Sequence, residues 1–146
     1  MEAPVRRGRH GSETKGSTAG AGGKPQAVIP SEDDEQAIVF QWAQYHEGRD
    51  PRVALLFHIP NGGARNIATA KRLKGLGVKS GVPDLFLPVA ARGFHGLWIE
   101  MKRQRKGVIS VTQLEWIEAL RGQQYLVVVA KGAEEAIEAL KQYLEL

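Results

Sequence analysis

Leu97-Trp-Ile-Glu-Met-Lys102 sets apolar side chains at Leu97, Ile99 and Met101 and interleaves them with Trp98, Glu100 and Lys102. Neighbouring side chains of an extended strand point to opposite faces, so the first set belongs in a core while Glu100 and Lys102 share the other face. Fifteen residues separate Glu100 from Asp84, which lies near the start of a second β-rich run, Val82-Pro-Asp-Leu-Phe-Leu-Pro88. The two runs are expected to pair as a hairpin with a moderately long loop. Asp84 then lies across from Glu100, and two carboxylates and an ammonium converge at one end of a sheet.

Outward from this hairpin the chain alternates helix and strand. Ser31 followed by a run of acids suits the start of a helix, and Ile38, Val39, Trp42 and Ala43 recur at helical spacing, giving a helix over 32–45. After Gly48, Asp50 and Pro51, the run Val53-Ala-Leu-Leu-Phe-His-Ile59 predicts a strand ended by a turn at 60–63. Ile67, Ala70, Leu73 and Leu76 make residues 66–76 a short amphipathic helix. Ser110-Val-Thr-Gln113 fits a capping box ahead of a helix with Leu114, Ile117 and Leu120 on its apolar stripe. Residues 125–130 lack polar alternation and read as a strand covered on both faces. A last amphipathic helix, 133–144, turns Ile137, Leu140 and Leu144 inward. The expected fold is a single α/β domain, a mixed central sheet of about four strands flanked by helices.

The chain has 146 residues, enough for one core of ordinary size. Residues 1–30 hold five Lys or Arg, two acids and six Gly with almost no large apolar side chain, so they read as a disordered basic arm ahead of a domain over 31–146. The absence of cysteine excludes disulfides, thiolate metal sites and cysteine nucleophiles, and is compatible with a cytoplasmic, reducing compartment. No apolar run is long enough to span a bilayer, so no membrane partner is expected. A formal net charge of +4 favours an anionic partner such as a phosphate backbone.

Two carboxylates beside an ammonium suit phosphodiester hydrolysis. Asp84 and Glu100 can hold Mg²⁺ or Mn²⁺, with the backbone carbonyl of Met101 as a further ligand, and leave positions for a phosphate oxygen and a water. Lys102 would orient the water or stabilise charge developing on phosphorus. The bland alternative is a turn at Pro83-Asp84 and a half-buried strand with a solvated charged face. Other residues carry similar pairs of readings. His58 either touches substrate or packs on its strand. Asn61, Gly62 and Gly63 make a turn that, with Arg65, can also admit a phosphate. Lys71, Lys74, Lys79, Arg103, Arg105 and Lys106 are candidate backbone-phosphate contacts or plain solvated charge. Trp98 is either a wall of the site or a stacking platform.

Pro83-Asp84 followed by Glu100-Met101-Lys102 resembles the PD-(D/E)xK nuclease signature. More narrowly, His58-Ile-Pro-Asn-Gly62, Leu76-Gly-Val-Lys-Ser-Gly-Val-Pro-Asp84, Gly96-Leu-Trp-Ile-Glu-Met-Lys102 and Ser110-Val-Thr-Gln113-Leu-Glu-Trp116 resemble the virus-type replication-repair nuclease (VRR-NUC) domain over about 31–144. The resemblance implies a restriction-endonuclease-like core and Mg²⁺- or Mn²⁺-dependent endonuclease activity on DNA, without an organic cofactor. Stand-alone members, often phage-encoded, look like homodimers acting on branched DNA such as Holliday junctions. It also implies a first-helix glutamate at the metal, for which Glu32 and Glu35 compete. Glu35 is preferred because it lies on the inward stripe with Ile38, Val39 and Trp42. Gln113 is implied as an auxiliary site residue, although its amide can equally bond back to the Ser110 N–H as part of the cap. Rival readings are a flap or restriction-type nuclease on the same core and a non-catalytic DNA-binding module.

Overall fold

The computed structural model describes residues 29–60 and 67–146. Residues 1–28 of the expected arm over 1–30, and Asn61 and Arg65, lie outside the described residues. The hairpin at the centre of the sequence reading forms as antiparallel strands β2 (Leu85–Leu87) and β3 (Leu97–Lys102), in the register Leu85↔Ile99, Phe86↔Trp98 and Leu87↔Leu97. Beyond β3, helix α3 (Val111–Gly122) crosses over to β4 (Leu126–Lys131), which runs parallel to β3. On the other side β1 (Phe57–His58) pairs antiparallel with β2, so the sheet order is β1-β2-β3-β4. This is the expected mixed sheet of four strands.

The alternation of β3 divides the molecule into two layers of packing. Leu85, Leu87, Leu97, Ile99 and Met101 face a core shared with Val39 and Ala43 of α1 (Glu32–His46) and with Ala136, Leu140, Tyr143 and Leu144 of α4 (Ala133–Leu144). On the opposite face Ile117 and Leu120 of α3 press on Val127, with Trp98 and Tyr125 at their margin. The apolar run of β4 therefore reads correctly as a strand covered from both sides. At its outer edge, Arg121 Nη2 donates to Val127 O (3.0 Å) and Lys131 N donates to Glu135 Oε2 (2.7 Å), so side chains occupy two of the backbone positions that another strand would use. Ser31 caps α1 and Ser110 caps α3, each through a reciprocal box, with Asp34 and Gln113 as partners.

Two expectations are corrected. Residues 53–59 are not one strand: Asp50 accepts from Arg52 N (3.0 Å), and a 3-10 turn, Val53–Leu55, buries Val53 and Leu56 before only Phe57–His58 extend. The turn set by Asp50-Pro51 outweighs the β-rich composition that follows. Helix α2 (Ile67–Gly75) forms, but its apolar stripe is not turned inward: none of its residues is buried, and Ile67 is 88% exposed.

Candidate active site

Asp84 follows the buried Pro83 and is bracketed by both neighbouring strands. Its main-chain oxygen accepts from Ile59 N (2.8 Å) and contacts His58 Nδ1 (2.9 Å), while its carboxylate Oδ2 accepts from Met101 N (2.8 Å). The last bond sets the Asp84 carboxylate against the β3 backbone between Glu100 and Lys102. Glu100 and Lys102 are 1% and 7% exposed, on the face that β3 turns away from the main core. Lys102 Nζ lies 3.0 Å from Glu100 Oε1 and donates to Gln113 Oε1 (3.0 Å); Gln113 Nε2 in turn donates to Glu100 Oε1. Gln113 Oε1 also accepts from Ser110 N (2.9 Å). One side chain thus completes the helix cap and joins Glu100 to Lys102.

The electrostatics follow from burial. Loss of water raises the carboxyl of Asp84 above its ordinary value, against the Met101 N–H and the Lys102 charge, which favour ionisation. Burial, with the Asp84 charge as second cause, pushes Glu100 up to about 7 despite Lys102. Glu100 Oε2 is buried and has no hydrogen-bond partner among the described residues. A buried carboxylate oxygen left bare beside a second acid is the arrangement that a cation relieves. The donors are all oxygen, which fits a hard divalent ion. Among the described residues no group of three or more His, Asp or Glu could hold a metal ion, so Asp84 and Glu100 are the two carboxylates this site offers.

The first-helix acids separate. Glu35, preferred from the sequence, is 3% exposed, but Oε1 accepts from Gln104 Nε2 (2.6 Å) and Oε2 from Ala133 N at the start of α4 (2.7 Å). It ties α1 to α4 and to the segment after β3. Glu32, one turn earlier, accepts from Arg103 N (3.1 Å), and its charge raises both Asp84 and Glu100. The inward stripe faces the helix α4 layer, whereas the end of α1 faces the carboxylates. Gln104 was not singled out from sequence; a lone polar residue in a basic loop gives no signal of such a bond.

The candidate DNA contacts are spread more widely. His58 is exposed, with its ring at the main chain of Asp84. Lys74 and Lys79 are exposed along α2 and the loop after it, and Arg103 is exposed just past β3. Trp98 stacks on Phe86 at 4.2 Å between centroids, and its buried indole N–H has no acceptor among the described residues. It packs against the Ile117, Leu120 and Val127 cluster under α3.

A mixed four-stranded sheet with an acid at one strand and Glu-x-Lys on the next is the fold of a PD-(D/E)xK-type nuclease. The VRR-NUC domain profile matches residues 23–134, and the chain belongs to this family. A solved structure described as a VRR_NUC domain protein is similar with a TM-score of 0.70 and 32% identity, over 81% of this chain and 91% of the other. No curated protein matches the sequence. The family places the chain among nuclease-type, DNA-processing domains. No helix among the described residues is long and apolar enough to cross a membrane.

Proposed function

We propose that the chain is a Mg²⁺- or Mn²⁺-dependent endonuclease that hydrolyses phosphodiesters of branched DNA, in the manner of a junction resolvase. The observation that carries this reading is the bare, buried Glu100 Oε2 next to the Asp84 carboxylate. Asp84, Glu100 and the Met101 carbonyl would hold the cation, with Glu32 rather than Glu35 as the supporting acid. When bound, the cation supplies Lewis-acid stabilisation of charge on the phosphoryl oxygens. Lys102 has three protons to give and commits two, toward Glu100 and Gln113; the third is free for the attacking water or a phosphate oxygen. Gln113 fixes that geometry. Water, giving up a proton to solvent, then attacks phosphorus in line as the bond to the opposite ester oxygen breaks, and that oxygen leaves taking a proton from solvent. A basic arm over 1–30, an intracellular site of action and a homodimer offering two sites for paired incisions belong to the same proposal.

The test is incubation of labelled four-way junction, flap and linear duplex of equal sequence with Mn²⁺ or EDTA. Metal-dependent cutting that prefers branches is expected, and Asp84→Asn should lower it by about 10²–10³-fold or more while DNA binding in Ca²⁺ persists. A wild-type protein that binds these substrates but never cuts them with either metal is a binding module, and the nuclease reading fails.

A further inference from the structure

The segment leading into Asp84 carries features that the proposed hydrolysis does not use. Residues 67–82 contain Lys71, Arg72, Lys74 and Lys79 and no acid. Helix α2 within it buries none of its residues, and Leu76 just beyond is 70% exposed. Two adjoining cavities lie between this segment and α3. The larger, about 700 Å³, is lined by Leu73, Lys74, Ser80, Thr112 and Glu115, among others. The smaller, about 320 Å³, shares Gly77, Val78, Lys79 and Trp116 with it and continues to Ile59, Pro60 and Val82. Val82 stands two residues before Asp84, and Ile59 N bonds the Asp84 carbonyl, so the groove ends at the main chain of Asp84.

Its walls are pinned. Trp116 Nε1 donates to Ser80 O (3.1 Å), and Lys79 Nζ sits 6.0 Å from the Trp116 ring centroid. At Gly81, with φ at +86°, a Cβ would lie 2.6 Å from Thr112 O, so glycine lets the loop close on the start of α3.

We propose that this α2–α3 groove receives an unpaired DNA strand and leads it to Asp84 and Glu100. Within the branched-DNA reading, on which the proposal rests, this selects forks and flaps, whose arm at the cut is unpaired, over a fully paired four-way junction. Paired DNA presents its phosphates outward and gains nothing from an apolar floor. An unpaired strand exposes base faces that can stack on Trp116 and lie over Leu73, Leu76 and Val78, while its phosphates meet Lys74 and Lys79. Glu115 is the single acid on the lining. A second copy meeting the groove through a two-fold axis would bring the same acid-free cationic segments together, which the charges oppose.

The experiment measures fluorescence anisotropy of a labelled single strand, a splayed fork and a blunt duplex with the full chain in Ca²⁺, at several salt concentrations. The double variant Lys74→Glu/Lys79→Glu alters exposed side chains only. It should weaken fork and single-strand binding by about tenfold or more and lower the salt slope by about 1.4, two phosphate contacts at 0.7 each. Blunt duplex binding should stay within about twofold of wild type. Trp116→Leu should lose about tenfold on the fork, and Trp116→Phe should keep most of it. Equal loss on all three probes, no loss on any, or a changed sedimentation mass in the charge-reversed variant would overturn the proposal. Because binding is read without turnover, a protein that uses the groove yet never cuts with Mn²⁺ refutes the nuclease reading alone. One that cuts but ignores these substitutions refutes the groove alone.

Discussion

Replacing Glu100 by Gln should stabilise the metal-free protein, and by an amount that depends on pH. The carboxyl is raised from 4.5 to about 7. Between those values the folded chain binds this proton more tightly than the unfolded chain does, so stability falls as pH rises through that window. At about 1.4 kcal/mol per pH unit, the ionised carboxylate costs the fold about 3 kcal/mol above pH 7. Gln keeps an oxygen for Lys102 and Gln113 but sets an amide NH2 where Glu100 Oε2 lies without a partner, which takes back about 1 kcal/mol of that gain. The net is about 2 kcal/mol, or about 6–10 °C in melting temperature for a domain of this size. Thermal melts by circular dichroism in EDTA should show wild type and variant nearly together at pH 5 and separated by that amount at pH 8. Adding Mn²⁺ should raise the wild-type melting temperature and leave the variant much less affected. If wild type is the more stable protein at pH 8 in EDTA, or the gap does not widen between pH 5 and 8, attraction to Lys102 exceeds desolvation and the account of the bare oxygen is wrong.

The two first-helix acids should separate in the same assays. Glu32→Gln should leave the melting temperature nearly unchanged and weaken Mn²⁺ binding by about tenfold in calorimetric titration. Glu35→Gln should cost about 1–3 kcal/mol of stability, because its amide group must face Gln104 Nε2 or Ala133 N, both donors; equal melts for the two variants would contradict this. Gly107→Ala would place a Cβ 2.9 Å from Lys102 Cβ and from Arg103 O. It should lower the cleavage rate by about 10²-fold with little change in DNA affinity, since a misplaced lysine harms the reaction more than the encounter; an unchanged rate would show that Lys102 tolerates the shift.

The hairpin was legible because both of its strands carry alternation with a buried side, and burial leaves one register that keeps Leu85, Leu87, Leu97 and Ile99 together. The capping boxes at Ser31 and Ser110 are local and need no tertiary knowledge. Where sequence reading failed, a longer-range fact decided. The run from Val53 to Ile59 has strand composition, but the turn closed by the Asp50 side chain on Arg52 N fixes how it begins. Glu35 was correctly placed on the buried stripe of α1, yet periodicity cannot say whether that stripe meets carboxylates or the start of α4. For α2 the same periodicity suggested burial, but its apolar residues border an open groove facing α3 and none of them is buried.

The sheet ends differently at its two margins. β1 offers a partner only two residues, and β4 has Arg121 and Glu135 drawn over its outer backbone. Growth of the sheet from molecule to molecule is therefore blocked at one side by brevity and at the other by a pair of side-chain clasps. Among the described residues, both margins therefore oppose strand-to-strand association, and the most apolar strand is the one whose outer backbone is covered.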